Sequence, residues 1–494
     1  MNDLEKNADV CIIAEGCYPY VSGGVSSWIH TLISSQQELT FSVVSILPYK
    51  FDEPIKYKFP NNVIFHKNVH LQKMPSGKNK LKSDINLGGF LETTLLKLFK
   101  ENDLKAFKEL IDFVKKNKRE LGYKILFQSE TTWYVITEMY KKTMNNSSFL
   151  DYFWSWKNIL GSIFSILMDE LPQASCYHAV STGYAGLYLA KAHFETSKPV
   201  ILTEHGIYTN ERKIEIATAD WLYDHIPFNL SVEKGRSYGL QEMWTDSFTI
   251  FSKLCYDVCS DIITLFEGNM RLQLLDGAKP EKIKIIPNGI DYVKFSKIPR
   301  VKKDRPVVAL IGRVVQIKDV KTFIKSIDLL RQSTPEIKAY IIGSTDEEPD
   351  YFEECKELVQ ALNLQDNITF TGNVNVVDHL GGIDIVVLSS LSEGQPLVIL
   401  ECGAAGIPTV ATDVGSCREL ILGKKDELPK LGDGGIVTPL VNPNAIAFAI
   451  HKLLSDFEFY KSCSSAIKKR VNTYYTLELQ TASYKEIYLN LLSK

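Results

Sequence analysis

Short apolar runs alternate with Gly-bearing loops and helix-period segments along most of the chain. VCIIAE (10–15) is followed by the loop GCYPYVSGG, the helical pattern VSSWIHTLI and a second apolar run, FSVVSIL. Continuous apolar runs of this length are buried parallel strands, and strand, Gly-rich loop, helix is the opening of a doubly wound fold. From about 51 to 175 the period changes to that of helices, as in LETTLLKLFKENDLKAFKELIDFVKKNKREL, which predicts a largely helical insertion. Alternation then resumes with SCYHAVS, a TGYAG turn, LYLAKAHFE, VILTEHG, SDIITLF and KIKIIPNGI.

A basic, linker-like stretch, DYVKFSKIPRVKKDR, separates this from a second series. There VVALIGR, IKAYIIGS, NITFTGNV, DIVVLSS and IPTVATDVG alternate with helical segments, and the chain ends on the helical LELQTASYKEIYLNLLSK. The pattern predicts an α/β protein of two Rossmann-like domains, 1–297 and 298–472. A terminal helix, 473–494, is expected to pack back on the first domain. Two such domains facing each other would line one cleft with the loops at the carboxyl ends of their strands.

Composition narrows the function. Lys plus Arg is 56 and Asp plus Glu is 59, for a net charge of −3. That balance gives no electrostatic ground for nucleic-acid binding. The opening MNDLEKNADV has no apolar core of a signal peptide, and the longest apolar runs reach roughly half a membrane span. The expected location is therefore cytoplasmic. None of the nine cysteines forms a C-x-x-C pair; Cys255 and Cys259, one helical turn apart, read as buried thiols.

The segment SEGQPLVILECGAAG (392–406) carries the most chemistry. Glu393 follows a predicted strand. Pro396 suits the first turn of a helix, which leaves the N–H groups near Leu397 and Val398 free for a phosphate. Glu401, one helical turn further on, has two acceptor oxygens for a ribose diol. Gly394 and Gln395 form the turn between. In IGRVVQIKD, Arg313 and Lys318 follow the first strand of the second domain and can stabilise a departing diphosphate. Gly23 and Gly24 precede a helix, where backbone can approach a ligand closely. His205, in LTEHG, follows a strand and can contact a sugar hydroxyl. The Gly pair is not G-x-G-x-x-G, so a dehydrogenase lacks its dinucleotide fingerprint. No two aspartates stand two residues apart, so no metal and no other cofactor is expected.

Together, GRVVQIKD, SEGQPLVILECGAAG and the Gly-Gly loop resemble glycosyltransferase family 4, with its GT-B architecture of two facing Rossmann-like domains. AEGCYPYVSGGVSSWIH, EHGIYTNERKIEI and ATDVGSCREL resemble, more narrowly, the glycosyltransferases of Pel-type exopolysaccharide synthesis. The resemblance implies a retaining, metal-independent transferase that moves a sugar from a UDP-sugar to a growing polysaccharide. It implies work beside an inner-membrane polymer-export complex, peripheral to the inner face of the membrane. Arg313, Lys318, Glu393 and His205 match the family's catalytic set. Gly23, Gly24, Gly394, Gln395, Pro396, Leu397, Val398 and Glu401 match its nucleotide-sugar contacts, and the uracil is expected near Gly372, Asn373 and Val374. Alternatives are a UDP-sugar epimerase of the same architecture and a non-catalytic nucleotide-binding scaffold of an export complex.

Overall fold

A computed structural model describes residues 7–82, 86–144, 148–218, 239–301 and 303–493. The chain divides into two units: Met1–Thr264 with Met270–Ile285 and Lys485–Lys494, and Leu265–Asn269 with Ile286–Tyr484.

The first unit is built on seven parallel strands: β1 (Ala8–Glu15), β2 (Phe41–Leu47), β3 (Val63–His70), β4 (Ala174–Ala179), β5 (Val200–Glu204), β6 (Asp261–Thr264) and β7 (Ile283–Ile285). Their spatial order is β3-β2-β1-β4-β5-β6-β7. The order reverses between β1 and β4, so the crevice at their carboxyl ends is the switch point where ligands bind in such sheets. Every residue of β2 is buried, as expected of an apolar run covered on both faces.

Helices α1 (Gly24–Ser35), α2 (Leu87–Phe99), α3 (Lys105–Asn117), α4 (Tyr123–Phe127), α5 (Glu130–Thr143), α6 (Phe149–Met168), α7 (Tyr184–Thr196), α8 (Tyr208–Thr218) and α9 (Leu240–Val258) follow in chain order. α2–α6 form the insertion. Its amphipathic α3 buries Phe107, Leu110, Ile111 and Val114, spaced i, i+3, i+4 and i+7. These residues share one core with β1, β2, α7 and α9, so the insertion is part of the first unit and not an appendage. Residues 63–70, inside the stretch read from sequence as helical, form the edge strand β3. Its VIFHKNVH is half polar because most of the strand is only partly buried, and that polarity hid it.

The second unit has six parallel strands, β8 (Val307–Ile311), β9 (Lys338–Ile342), β10 (Ile368–Gly372), β11 (Ile385–Leu388), β12 (Thr409–Thr412) and β13 (Gly435–Thr438), ordered β10-β9-β8-β11-β12-β13. Its switch point lies between β8 and β11. α10 (Glu267–Leu275) precedes it in the chain. α11 (Tyr292–Ser296), α12 (Val320–Leu330), α13 (Pro349–Ala361), α14 (Val377–Leu380), α15 (Leu397–Ala404), α16 (Cys417–Leu422), α17 (Pro443–Ser455) and α18 (Phe457–Tyr474) follow. Two apolar cores cover the two faces of this sheet. A buried ion pair, Arg470 Nε to Glu427 Oε1 at 2.6 Å, sits beneath α16 with further bonds from the guanidinium to the Ile421 and Gly432 carbonyls. Such pairing makes the burial of both charges tolerable. The last helix, α19 (Leu477–Leu492), carries Tyr488, whose hydroxyl lies 2.6 Å from His178 Nδ1 within the first unit.

Candidate active site

In the second unit, the loops after β8 and β11 carry the sequence-predicted cations and acids. Lys318 ends a single 3₁₀ turn, Gln316–Lys318, and Asp319 caps α12 by accepting from Thr322 N at 3.2 Å. The loops are fastened to each other. Ser389 Oγ donates to the Lys318 and Asp319 carbonyls at 2.9 Å, and Leu391 N to the Ile317 carbonyl at 2.8 Å. Lys318 Nζ thereby sits 2.5 Å from Glu393 Oε1, which also accepts from Ser390 Oγ at 2.6 Å. Both charges are largely covered, at 20% and 11% side-chain exposure, so water screens the pair only partly. Glu393 Oε2 has no hydrogen bond among the described residues. Arg313 differs: its guanidinium bonds both Glu347 oxygens at 2.5 Å, and both side chains are more than half exposed.

Pro396 stands one residue before α15, as its cap, rather than in its first turn. A proline side chain cannot accept a hydrogen bond, so the Leu397 and Val398 N–H groups have no side-chain cap. The turn before them is held from behind. Ser416 N and Oγ both donate to the Gly394 carbonyl, and Gln395 Oε1 accepts from Asn288 N at 2.6 Å. Gly415, at φ +53°, lies so close that a Cβ there would stand 2.3 Å from the Glu393 and Gly394 carbonyl oxygens. Glu401 is half-buried on α15, and burial pushes its carboxyl up to about 7, with Lys294 on α11 opposing the shift. Gly372 ends β10 at φ +68° with open space around it; Asn373 and Val374 continue the same loop.

The first unit presents a different cluster. Gly23 has an extended backbone and, like Gly24, nothing within 4 Å of where a Cβ would stand. The first turn of α1 has no side-chain cap either. His205 follows β5 with its ring edge-on to Trp28, centroids 4.6 Å apart, and burial lowers its pKa to about 4. His178 is buried between Tyr488 and Thr203 and is lowered to about 3, by burial first and by the neighbouring His205 second. Both imidazoles are neutral at pH 7.

Two acids were not singled out from sequence. Glu15 ends β1 and spans the switch point: it accepts from Ala185 N at 3.0 Å and from Tyr208 Oη at 2.6 Å. Burial raises its pKa. Glu204 ends β5 with four donors, Tyr256 Oη, Gln273 Nε2, Tyr208 N and Thr182 Oγ1, and is pushed up to about 7 by burial. Arg212 lies over the Tyr208 ring at 4.8 Å and pairs with Glu215. The available signal was an acid closing an otherwise apolar strand, in VCIIAE and VILTE.

Among the described residues no three His, Cys, Asp or Glu side chains are grouped to hold a metal ion, and Cys255 and Cys259 are free thiols with sulfurs 4.0 Å apart. Among the same residues no helix is long and apolar enough to cross a membrane.

Two doubly wound sheets with a helical insertion in the first define a GT-B-type chain. It belongs to the family described as a domain of unknown function, DUF3492, which it matches over residues 8–281. Residues 292–470 match the family described as glycosyl transferases group 1. Among curated proteins the chain is 28% identical over 211 residues to a D-inositol 3-phosphate glycosyltransferase of Kineococcus radiotolerans, covering 38% of this chain and 47% of that one. It is 28% identical over 268 residues to an uncharacterized glycosyltransferase of Methanocaldococcus jannaschii, covering 50% and 64%. The chain thus spans between about half and two thirds of the length of these relatives. Two solved structures share the fold over nearly all of both chains. They are Anabaena HepE in complex with UDP (TM-score 0.61, 13% identity, 98% of this chain and 100% of that one) and a sucrose-phosphate synthase of Thermosynechococcus elongatus (0.60, 14%, 98% and 99%).

Proposed function

We propose that this protein is a retaining, metal-independent glycosyltransferase that moves a sugar from a UDP-sugar to a growing exopolysaccharide of the Pel type. One observation carries the reading. The Lys318–Glu393–Ser390 cluster and the uncapped first turn of α15 stand on the loops that flank the β8/β11 switch point, in the unit that matches group 1 glycosyl transferases. HepE, a structure of the same fold, was solved with UDP.

In this reading the amides of Leu397 and Val398 and the ammonium of Lys318 hold the diphosphate, and Arg313 leaves Glu347 to join them. The charge that grows on the leaving phosphate is met by the α15 amides and Lys318, already in place, while Arg313 moves on binding, before transfer. Glu401 accepts from the ribose hydroxyls, and Gly372–Val374 lie against the base. Glu393 keeps Oε1 on Lys318 and turns Oε2 to a sugar hydroxyl. His205, held neutral by burial, is assigned to a sugar hydroxyl in the same reading. The acceptor hydroxyl attacks the anomeric carbon on the face the diphosphate leaves. The C–O bond to phosphate breaks, the new glycosidic bond forms, and the acceptor's proton passes to the departing phosphate oxygen. Location at the inner face of a membrane, beside an export complex, belongs to the same reading.

Incubation with radiolabelled UDP-glucose, UDP-N-acetylglucosamine and UDP-N-acetylgalactosamine plus oligosaccharide acceptors tests it. Label is expected in the acceptor with retained configuration. Isomerised UDP-sugar without acceptor would establish the epimerase instead. UDP binding with neither reaction would leave the scaffold.

A further inference from the structure

The insertion encloses a cavity of about 570 Å³ bounded by α2, α5, α6 and α9, within the range of small-molecule sites. None of the residues assigned above to nucleotide or sugar lines it. Its floor is apolar: Leu95, Phe99, Met139, Ile159 and Leu160. Its wall also includes Tyr152 and Trp156, whose Oη and Nε1 are buried with no hydrogen-bond partner among the described residues. Buried donors are nearly always paired, so this wall has hydrogen-bonding capacity that the protein leaves unspent.

The rim is cationic. Lys100, Lys142 and Lys253 face one acid, Asp246. Lys142 is paired with Glu92. Among the described residues Lys253 reaches only the Asn102 amide oxygen, at 3.5 Å, and no carboxylate pairs with it. Lys100, which directly follows α2, makes no ion pair or side-chain hydrogen bond among the described residues. Asn102 also lines the cavity, so Lys100, Asn102 and Lys253 gather at one edge of the opening. An apolar floor with unneutralised ammonium groups at its rim is complementary to a molecule with an apolar body and one negative end. A nucleotide or a free sugar carries more polar groups than the Tyr152 and Trp156 donors can meet, and the apolar floor would leave the rest without partners, which disfavours both.

We propose that this cavity binds an anionic amphiphile, its chain along the α2–α6 floor and its carboxylate or phosphate head between Lys100 and Lys253. Fatty carboxylates and isoprenoid phosphates share this chemistry.

The test is calorimetric titration of the full chain with dodecanoate, farnesyl phosphate and uncharged decyl glucoside, each below its micelle concentration. One saturable site is expected for the charged probes, at least tenfold tighter than for decyl glucoside. The tighter of the two charged probes identifies the natural class. Lys100→Glu with Lys253→Glu, both at the rim, should weaken the charged probes tenfold or more while leaving the UDP titration unchanged. Leu96→Trp should reduce binding of all three by filling the cavity. Absence of saturation, equal affinity for the uncharged probe, or indifference to the lysine reversals would overturn the proposal.

Discussion

The two switch points of this protein handle charge in opposite ways. In the second unit, between β8 and β11, the acid Glu393 meets a cation, Lys318, and among the described residues keeps one oxygen without a hydrogen bond. In the first, between β1 and β4, the acid Glu15 meets a phenol and an amide, and it and Glu204 are buried deeply enough that both carboxyls are raised. In the proposed reading the arrangement in the second unit answers an anion that arrives and leaves. That in the first unit is a largely satisfied network that fixes loop geometry, with its imidazoles held neutral. The same topology thus offers an ion-paired crevice in one unit and, in the other, one whose acids are held by neutral donors and raised by burial. In the proposed reading the ion-paired crevice of the second unit is the one that takes the nucleotide diphosphate.

Removing the charge at the second switch point should cost most. Lys318→Ala is expected to lower turnover by about 10²–10³, on the order of 3–4 kcal/mol of barrier, because a preorganised donor to the leaving group is lost. Steady-state assay of UDP release checks it. The same substitution at Arg313, an exposed pair, should cost less; equal effects would mean that exposure does not rank the two cations.

A second contrast compares glycines. In Gly415→Ala the new Cβ collides with the Glu393 and Gly394 carbonyls, so the loop must move and UDP affinity should fall about tenfold or more. Gly24→Ala meets no described protein atom within 4 Å, so the fold should tolerate it, and a fall in UDP affinity there would report the close ligand approach expected from the sequence. Calorimetry on both variants decides whether the glycines of the two units differ as described.

The pH response separates the units as well. Burial pushes the Glu401 carboxyl up to about 7, and the proposed ribose contact needs its ionised form. UDP affinity should therefore rise as pH increases through about 7, and Glu401→Gln should flatten that rise. In the first unit, His205 is lowered to about 4 while an unfolded histidine takes its proton near 6.5. The folded state binds fewer protons in that interval. Stability from this group is complete above about 6.5 and is lost as pH falls toward 4. His205→Gln should make the acid limb of a urea-midpoint profile shallower; an unchanged limb would mean that the ring is solvated.

Smaller still, Ser129→Ala removes the α5 cap, which accepts from Thr132 N at 3.2 Å, and should cost about 1 kcal/mol in urea denaturation.

Much of the fold is legible in single segments. FSVVSIL coincides with β2, and IKAYIIGS contains β9. Both are apolar because parallel strands are covered on two faces. The edge strand β3 escaped because its partial burial lets His66, Lys67 and Asn68 into it. At the site, Lys318 and Glu393 were each legible from strand-end position, but their contact spans 75 residues of sequence and depends on the Ser389 and Leu391 clasps. Glu15 and Tyr208 lie 193 residues apart, and no local pattern announces such a pair.

The account rests on a diphosphate held by the α15 amides and Lys318 without a metal ion. Calorimetric titration of UDP in excess EDTA tests this most directly. Saturable binding is predicted, unchanged by the chelator and abolished in Lys318→Ala/Glu401→Ala. Loss of binding in EDTA, or full binding by the double variant, would contradict it.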